Sequence, residues 1–287
     1  MLDAAIEYQS LLQQNLNLDL SRGKPSPQQL DLSMAMLTRQ LLDDCLAADG
    51  MDCRNYGGIA GIAEARQLFG ELLGAPAAQT IVSGCATLEL LHDVLVYALF
   101  HGLPGHKPWQ STPDIAFIAS VPGYDRHFAL CQRYGIRLYP VAINTDGPDM
   151  EQVEQLVARD PAIKGMWCVP RYNNPTGDSY SDATIRRLAQ MPTAAPDFRL
   201  LVDDAYRFHH LTPQPQAQLN MLEACAAAGH PERALVFTST SKITFANAGV
   251  AAMAAGPETV AWWQMHAQIR SIGPDKINQL RHVRFFA

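Results

Sequence analysis

No two of the six cysteines, Cys45, Cys53, Cys85, Cys131, Cys168 and Cys225, stand in a C-x-x-C pair, which excludes the common zinc and dithiol motifs. Thiols scattered through a chain of 287 residues suit a reducing compartment better than a disulfide framework. Positive charge is scarce too: 22 Lys and Arg face 28 Asp and Glu, for a net charge of -6. No Lys/Arg-rich run interrupts that balance, so the chain carries no electrostatic footprint for nucleic acid. An anionic ligand is still allowed, because a pocket can be locally positive. No uninterrupted apolar stretch reaches about eighteen residues, and no membrane span is expected. The opening MLDAAIEYQS lacks the long apolar core of a secretory signal. Repeats and low-complexity tracts are absent. These absences make a cytoplasmic protein of enzyme size the expectation.

What is present is an ordinary globular composition, 48% apolar and 17% charged, which excludes disorder as the main state. The length allows one large domain, or a large domain with part of a second. Short apolar runs end in Gly, Pro, Asn, Asp or Ser: TIVSG (80–84), IAFIAS (115–120), IRLYPVAI (136–143), GMWCV (165–169), RLLVD (199–203), ALVFTS (234–239) and GVAAMAA (249–255). Between several of them lie stretches with helical spacing, at 61–73, 87–100, 150–160 and 181–191, and Ser181 is an N-cap candidate. Residues 1–18 read as an amphipathic helix, followed by the irregular LSRGKPSPQQLDLS (20–33). Alternation of strand and helix predicts an α/β fold with a mostly parallel central sheet flanked by helices. In such sheets, polar groups at the C-terminal ends of the strands converge on a ligand crevice.

Nearly every unusual cluster follows an apolar run. Lys242 sits in TSTSKITFANAG, among the hydroxyls of Ser239, Thr240 and Ser241. A lone loop lysine is usually a solvated surface group, but hydroxyls suit a phosphate and a buried lysine can act as an amine nucleophile. Asp203 ends RLLVD, and Tyr206 follows in VDDAYRFHH. An aspartate there is ordinarily a cap or turn residue; it is also the partner that a pyridine ring nitrogen requires. YNNPTG (172–177) reads as a turn, although Asn174 could point its amide into the crevice. Asn174, Asp203 and Lys242 are separated by 29 and 39 residues, in that order.

In this order and spacing the residues resemble the class I/II aminotransferases that depend on pyridoxal 5′-phosphate and share fold type I, and the likeness covers essentially the whole chain. The resemblance implies that Lys242 holds the cofactor and later shuttles the substrate proton. It implies that Asp203 pairs with the ring nitrogen, while Tyr206 and Asn174 bind the ring oxygen. Tyr124, in VPGYDRH, matches the aromatic that stacks on the ring; read alone, it is a turn residue. Gly84, Cys85 and Ala86, in SGCATLELL, resemble the loop-to-helix phosphate site, joined by Ser239 and Ser241; read alone, they are a capped helix start. Tyr56, in RNYGGIAG, matches a tyrosine that reaches the phosphate of a second subunit, which implies a homodimer. Gly23 matches a backbone contact to substrate, and Arg270 lies where dicarboxylate-specific relatives carry an arginine; a surface salt bridge is the other reading of Arg270.

The likeness has gaps. Val250 stands eight residues after the lysine, where many relatives place a phosphate-clamping arginine. Cys85-Ala86 is poor in side-chain donors. Relatives continue into a C-terminal small domain of about a hundred residues. The expected organisation is therefore an N-terminal segment at 1–50, a large cofactor-binding domain at 51–287, and no C-terminal small domain. The expected reaction is transamination between an amino acid, aspartate among the candidates, and a 2-oxo acid. A lyase or decarboxylase of the same fold type, a non-catalytic relative, or a regulator's effector domain are the alternatives. The lack of a basic module before Leu18 speaks against the regulator.

Overall fold

The computed structural model describes residues 2–17, 23–215 and 217–287. Its eight strands are β1 (Thr80–Val82), β2 (Ala116–Val121), β3 (Arg137–Asn144), β4 (Gly147–Pro148), β5 (Ile163–Cys168), β6 (Arg199–Asp203), β7 (Ala234–Ser239) and β8 (Ala251–Ala255). The helices are α1 (Leu2–Gln13), α2 (Pro27–Asp31), α3 (Ala63–Leu73), α4 (Thr87–His101), α5 (Asp125–Arg133), α6 (Met150–Arg159), α7 (Asp182–Gln190), α8 (Met221–Ala227), α9 (Pro257–Arg270) and α10 (Lys276–Phe286).

One sheet runs in the order β1-β8-β7-β6-β5-β2-β3-β4. Its five central strands, from β7 through β3, are parallel, as the alternation of strand and helix predicts. The edges depart from that pattern: β8 runs antiparallel to both β7 and β1, and β4 folds back on β3. Two antiparallel steps restore direction, so β1 points the same way as β7. The ends of β1, β2, β5, β6 and β7 therefore share one rim of the sheet.

Both faces of the sheet are covered, and the pleat divides each strand between them. Leu200 and Val202 join Val82, Ile118, Met166 and Val236 under α3, α6, α7, α8 and α10. Leu201 faces the other way with Ile81, Phe117, Trp167 and Phe237, under α4, α5 and α9. Ser181 caps α7 as its position suggests, its hydroxyl accepting from the Thr184 N–H at 3.1 Å. α1 forms within the expected stretch but buries no face: Ala4–Gln13 are exposed, Ile6, Tyr8, Leu11 and Leu12 among them. Leu20–Arg22, at the head of the irregular segment, lie outside the described residues.

Candidate active site

The loops leaving the sheet rim enclose a cavity of about 560 Å³. Its lining includes Gly23, Ala86, Tyr124, Asn174, Asp203, Tyr206, Ser239, Ser241 and Lys242. Most of them follow the ends of different strands. Asp203 is the last residue of β6, Ser239 the last of β7, and Lys242 follows in a single 3-10 turn. Tyr124 caps α5 after β2, and Asn174 lies in the loop after β5.

Asp203 is only 5% exposed. Its Oδ2 lies 3.1 Å from the Nε2 of His127, whereas Oδ1 has no hydrogen-bond partner among the described residues. A buried carboxylate oxygen left unpaired is costly, so Oδ1 is an acceptor aimed at something the chain itself does not supply. His127 is held by more than the carboxylate. Its ring stacks on Trp167 at 4.3 Å between centroids and meets Tyr124 edge-on. The sequence reading missed His127; its only signal is a position one helical turn after Tyr124, on the same face of α5.

Asn174 and Tyr206 line the cavity together, the Asn174 amide beside the Tyr206 phenol. Burial and then the charge of Asp203 hold that phenol above the ordinary tyrosine value, and the neighbouring Asn174 amide pulls it part of the way back. Tyr124 is pushed up as well, by burial first and by Asp203 second. The Nζ of Lys242 donates to the carbonyl of Gly23 at 2.8 Å, so the N-terminal segment touches this amine directly.

At the start of α4, Ser241 donates to the carbonyl of Cys85 at 2.8 Å and receives the Ser239 hydroxyl at 3.1 Å. The N–H groups of Ala86 and Thr87 belong to the helix start that lacks intrahelical acceptors, a natural anion cradle. The Cys85 N–H, however, already donates to Glu89 at 2.7 Å. Burial, followed by that carboxylate, raises the Cys85 thiol above its ordinary value. Glu89 is a second residue that sequence reasoning missed.

Four expected site residues, Gly84, Cys85, Tyr56 and Arg270, do not line the cavity, Cys85 standing next to it beside Ala86. Gly84 and Arg270 line a neighbouring groove, where Arg270 is paired with Asp93 at 3.2 Å. Tyr56 is 77% exposed and is not among the residues lining the cavity. Its loop is pinned by the buried Lys276, whose Nζ donates to the carbonyls of Asn55 and Gly57 at 2.6 and 2.8 Å. Among the described residues, no cluster of three His, Cys, Asp or Glu side chains could hold a metal ion, and no helix is long and apolar enough to cross a membrane.

A lysine, an aspartate with a histidine behind it and an Asn–Tyr pair, gathered at one rim of a mostly parallel sheet, define the fold type I architecture of the pyridoxal-phosphate-dependent aminotransferases. Residues 2–287 match the family model described as aspartate amino-transferase, and the chain belongs to that family. A protein of Mycolicibacterium smegmatis named as an aminotransferase is 52% identical over 282 residues, 97% of this chain and 66% of its own length. The aspartate aminotransferase of Corynebacterium glutamicum is 44% identical over 285 residues, 99% of this chain and again 66% of that protein. The crystal structure of an aspartate transaminase from C. glutamicum superposes with a TM-score of 0.93, at 44% identity, covering 99% of this chain and 67% of that one. An α-aminoadipate aminotransferase from Thermus thermophilus, complexed with N-(5′-phosphopyridoxyl)-L-leucine, shares the fold with a TM-score of 0.71 at 20% identity, covering 92% of this chain and 63% of that one. The chain thus spans about two thirds of the length of the curated relatives it matches.

Proposed function

We propose that the chain is the cofactor-binding part of a pyridoxal-phosphate-dependent aminotransferase, acting in the cytoplasm as a homodimer. Residues 51–287 are taken as the cofactor domain and residues 1–50 as the arm beside it. The observation that carries this reading is the Asp203 carboxylate, with one oxygen backed by His127 and the other buried and unpaired. A protonated pyridine nitrogen is the donor that such an oxygen fits. When bound, the cofactor supplies an electron sink for the carbanion left when the substrate Cα loses its proton.

The rest is the work of this chain's residues. Asp203 holds a proton on the ring nitrogen by its charge, and His127 fixes the plane of that carboxylate. Asn174 and Tyr206 would bind the ring oxygen together, and Tyr124 would cover the ring. The N–H groups at the start of α4, with Ser239 and Ser241, would take the phosphate. Lys242 Nζ would be the anchoring nucleophile and the base that moves the Cα proton; its contact with the Gly23 carbonyl would open before either task. Gly23 and Asn174 are then available to the substrate carboxylate. Arg270 would have to leave Asp93, or serve a neighbouring copy, to meet a substrate side chain. Aspartate is the donor to try first, since the C. glutamicum relative carries that activity in its name.

The test is chemical. Protein incubated with pyridoxal phosphate and reduced with borohydride should carry the cofactor's mass on the peptide containing Lys242, and Lys242→Ala should carry none. A label on another lysine, or none in the unmutated chain, would remove the reading. With aspartate or alanine added, release of a 2-oxo acid supports transamination, whereas carbon dioxide or free ammonia would move the reaction to a decarboxylase or lyase.

A further inference from the structure

Asn174 and Tyr206 arrive on separate loops, and an ion cluster outside the cavity ties those loops together. Asp204 is 1% exposed, and its Oδ2 accepts from Arg171 Nη1 at 2.7 Å and from Arg207 Nη1 at 2.8 Å. Arg171 stands three residues before Asn174, and Arg207 directly follows Tyr206. A second tie joins the same loops: the Tyr172 hydroxyl lies 2.8 Å from His210 Nδ1. Tyr172 has a φ of 49°, a left-handed conformation that a bulky residue keeps only when its surroundings enforce it.

Stability is a weak reason for such a cluster. Burying a carboxylate and a guanidinium costs roughly what their attraction returns, and a well-packed apolar pair often does as well. Burial also pulls the Arg171 guanidinium below its ordinary value despite the neighbouring carboxylate, and Asp204 Oδ1 finds no partner among the described residues. What an apolar pair would not provide is a fixed, directional span between two loops.

We infer that Asp204 is a positioning residue: through Arg171 and Arg207 it sets the approach of Asn174 to Tyr206 across the cavity. The consequence for catalysis rests on the function proposed above, but the span itself can be tested without cofactor. The groups facing the phenol are Asp203, Asn174, Tyr124 and His209, whose ring meets that of Tyr206 edge-on. Asp204 is not among them, so a change at Asp204 reaches the phenol only through geometry.

The experiment is a pH titration of cofactor-free protein carrying 13C-labelled tyrosine, followed by NMR, with the Tyr206 signal assigned by its loss in Tyr206→Phe. Asn174→Ala should raise the Tyr206 titration, leaving less phenolate at a given pH. Asp204→Asn should raise it similarly, and the Asn174→Ala/Asp204→Asn double variant no further. Arg171→Gln, at a partly exposed arginine, should do the same and decides the matter if Asp204→Asn does not fold. Asp197→Asn removes a buried partner of Lys164 and Trp109 in another part of the molecule, and should lower stability while leaving Tyr206 unmoved. Folded Asp204→Asn and Arg171→Gln proteins titrating like the unmutated chain would overturn the inference, as would an Asn174→Ala variant that leaves Tyr206 unmoved. Failure to label Lys242 would remove the proposed function and leave this result standing.

Discussion

At Asp203 the two oxygens of one carboxylate have separate surroundings, one against His127 and one unpaired among the described residues, and substitutions test what each does. Asp203→Asn keeps the shape and removes the charge. Loss of one preorganised charge partner should lower kcat by on the order of 10²–10³ while the borohydride label stays on Lys242. His127→Phe keeps the stack on Trp167 and removes only the hydrogen bond. A fall of about tenfold in kcat, with KM little changed, is expected in steady-state assays, since one hydrogen bond to a charged group is worth about 1.5–3 kcal/mol at most. Rates matching the unmutated chain would deny His127 any part in holding the carboxylate. The difference between these residues also marks what the sequence conveys. Lys242, Asp203 and Asn174 are legible because each follows an apolar run at a spacing that recurs in a known family. His127 becomes visible only when α5 lays its ring between Trp167 and Asp203. Glu89 is hidden for a similar reason: on paper it is an ordinary acidic residue in a first helical turn.

Among the elements, the apolar runs RLLVD and ALVFTS coincide with β6 and β7 to the residue, because strands buried on both faces read as continuous apolar stretches. The antiparallel edges were not legible, since partner choice in a sheet leaves no mark on a single strand. Nor was α9 or α10 read, both carrying polar and basic residues among their apolar ones. α10 matters nonetheless, for its fully buried His282 lies behind the Lys242 loop. The ring's Nδ1 is 2.8 Å from the Asn278 carbonyl and its Nε2 3.0 Å from the Thr244 hydroxyl. Burial holds this imidazole below its ordinary value of 6.5. The unfolded chain therefore binds the proton more readily, and the associated stability, present above about pH 6.5, is lost as pH falls through the folded value. Urea midpoints should drop on acidification from neutral pH, and His282→Gln should flatten that slope; an unchanged slope would acquit His282. His230 and His266 are lowered by burial too and contribute with the same sign. In the neighbouring groove, two residues before the cap of α4, Gly84 has φ +73°, and a Cβ there would stand 2.1 Å from Glu89 Oε2, the oxygen that accepts from the Cys85 N–H. Gly84→Ala should weaken cofactor binding at least about tenfold, roughly 1.4 kcal/mol, in equilibrium dialysis.

For the molecule as a whole, the exposed residues decide more than the buried ones. Tyr56 stands out in solvent on a loop that a buried lysine takes trouble to pin. A loop held this firmly and presenting an exposed aromatic suits a side chain donated to a second copy. In a two-fold dimer each cavity would receive the tyrosine of the other chain, because an isologous contact is reciprocal. That arrangement makes a prediction no monomer can meet. Tyr56→Phe should weaken cofactor binding, and Lys242→Ala should abolish attachment, so each variant alone is impaired. When the two are refolded together, mixed dimers contain one cavity with an intact Lys242 that receives an intact Tyr56. Borohydride labelling at limiting cofactor should then exceed the sum of the two separate preparations, with the label confined to the Tyr56→Phe chain. A simple sum would mean that Tyr56 acts within its own chain or not at all, and the homodimer would lose its only support at the level of a named residue.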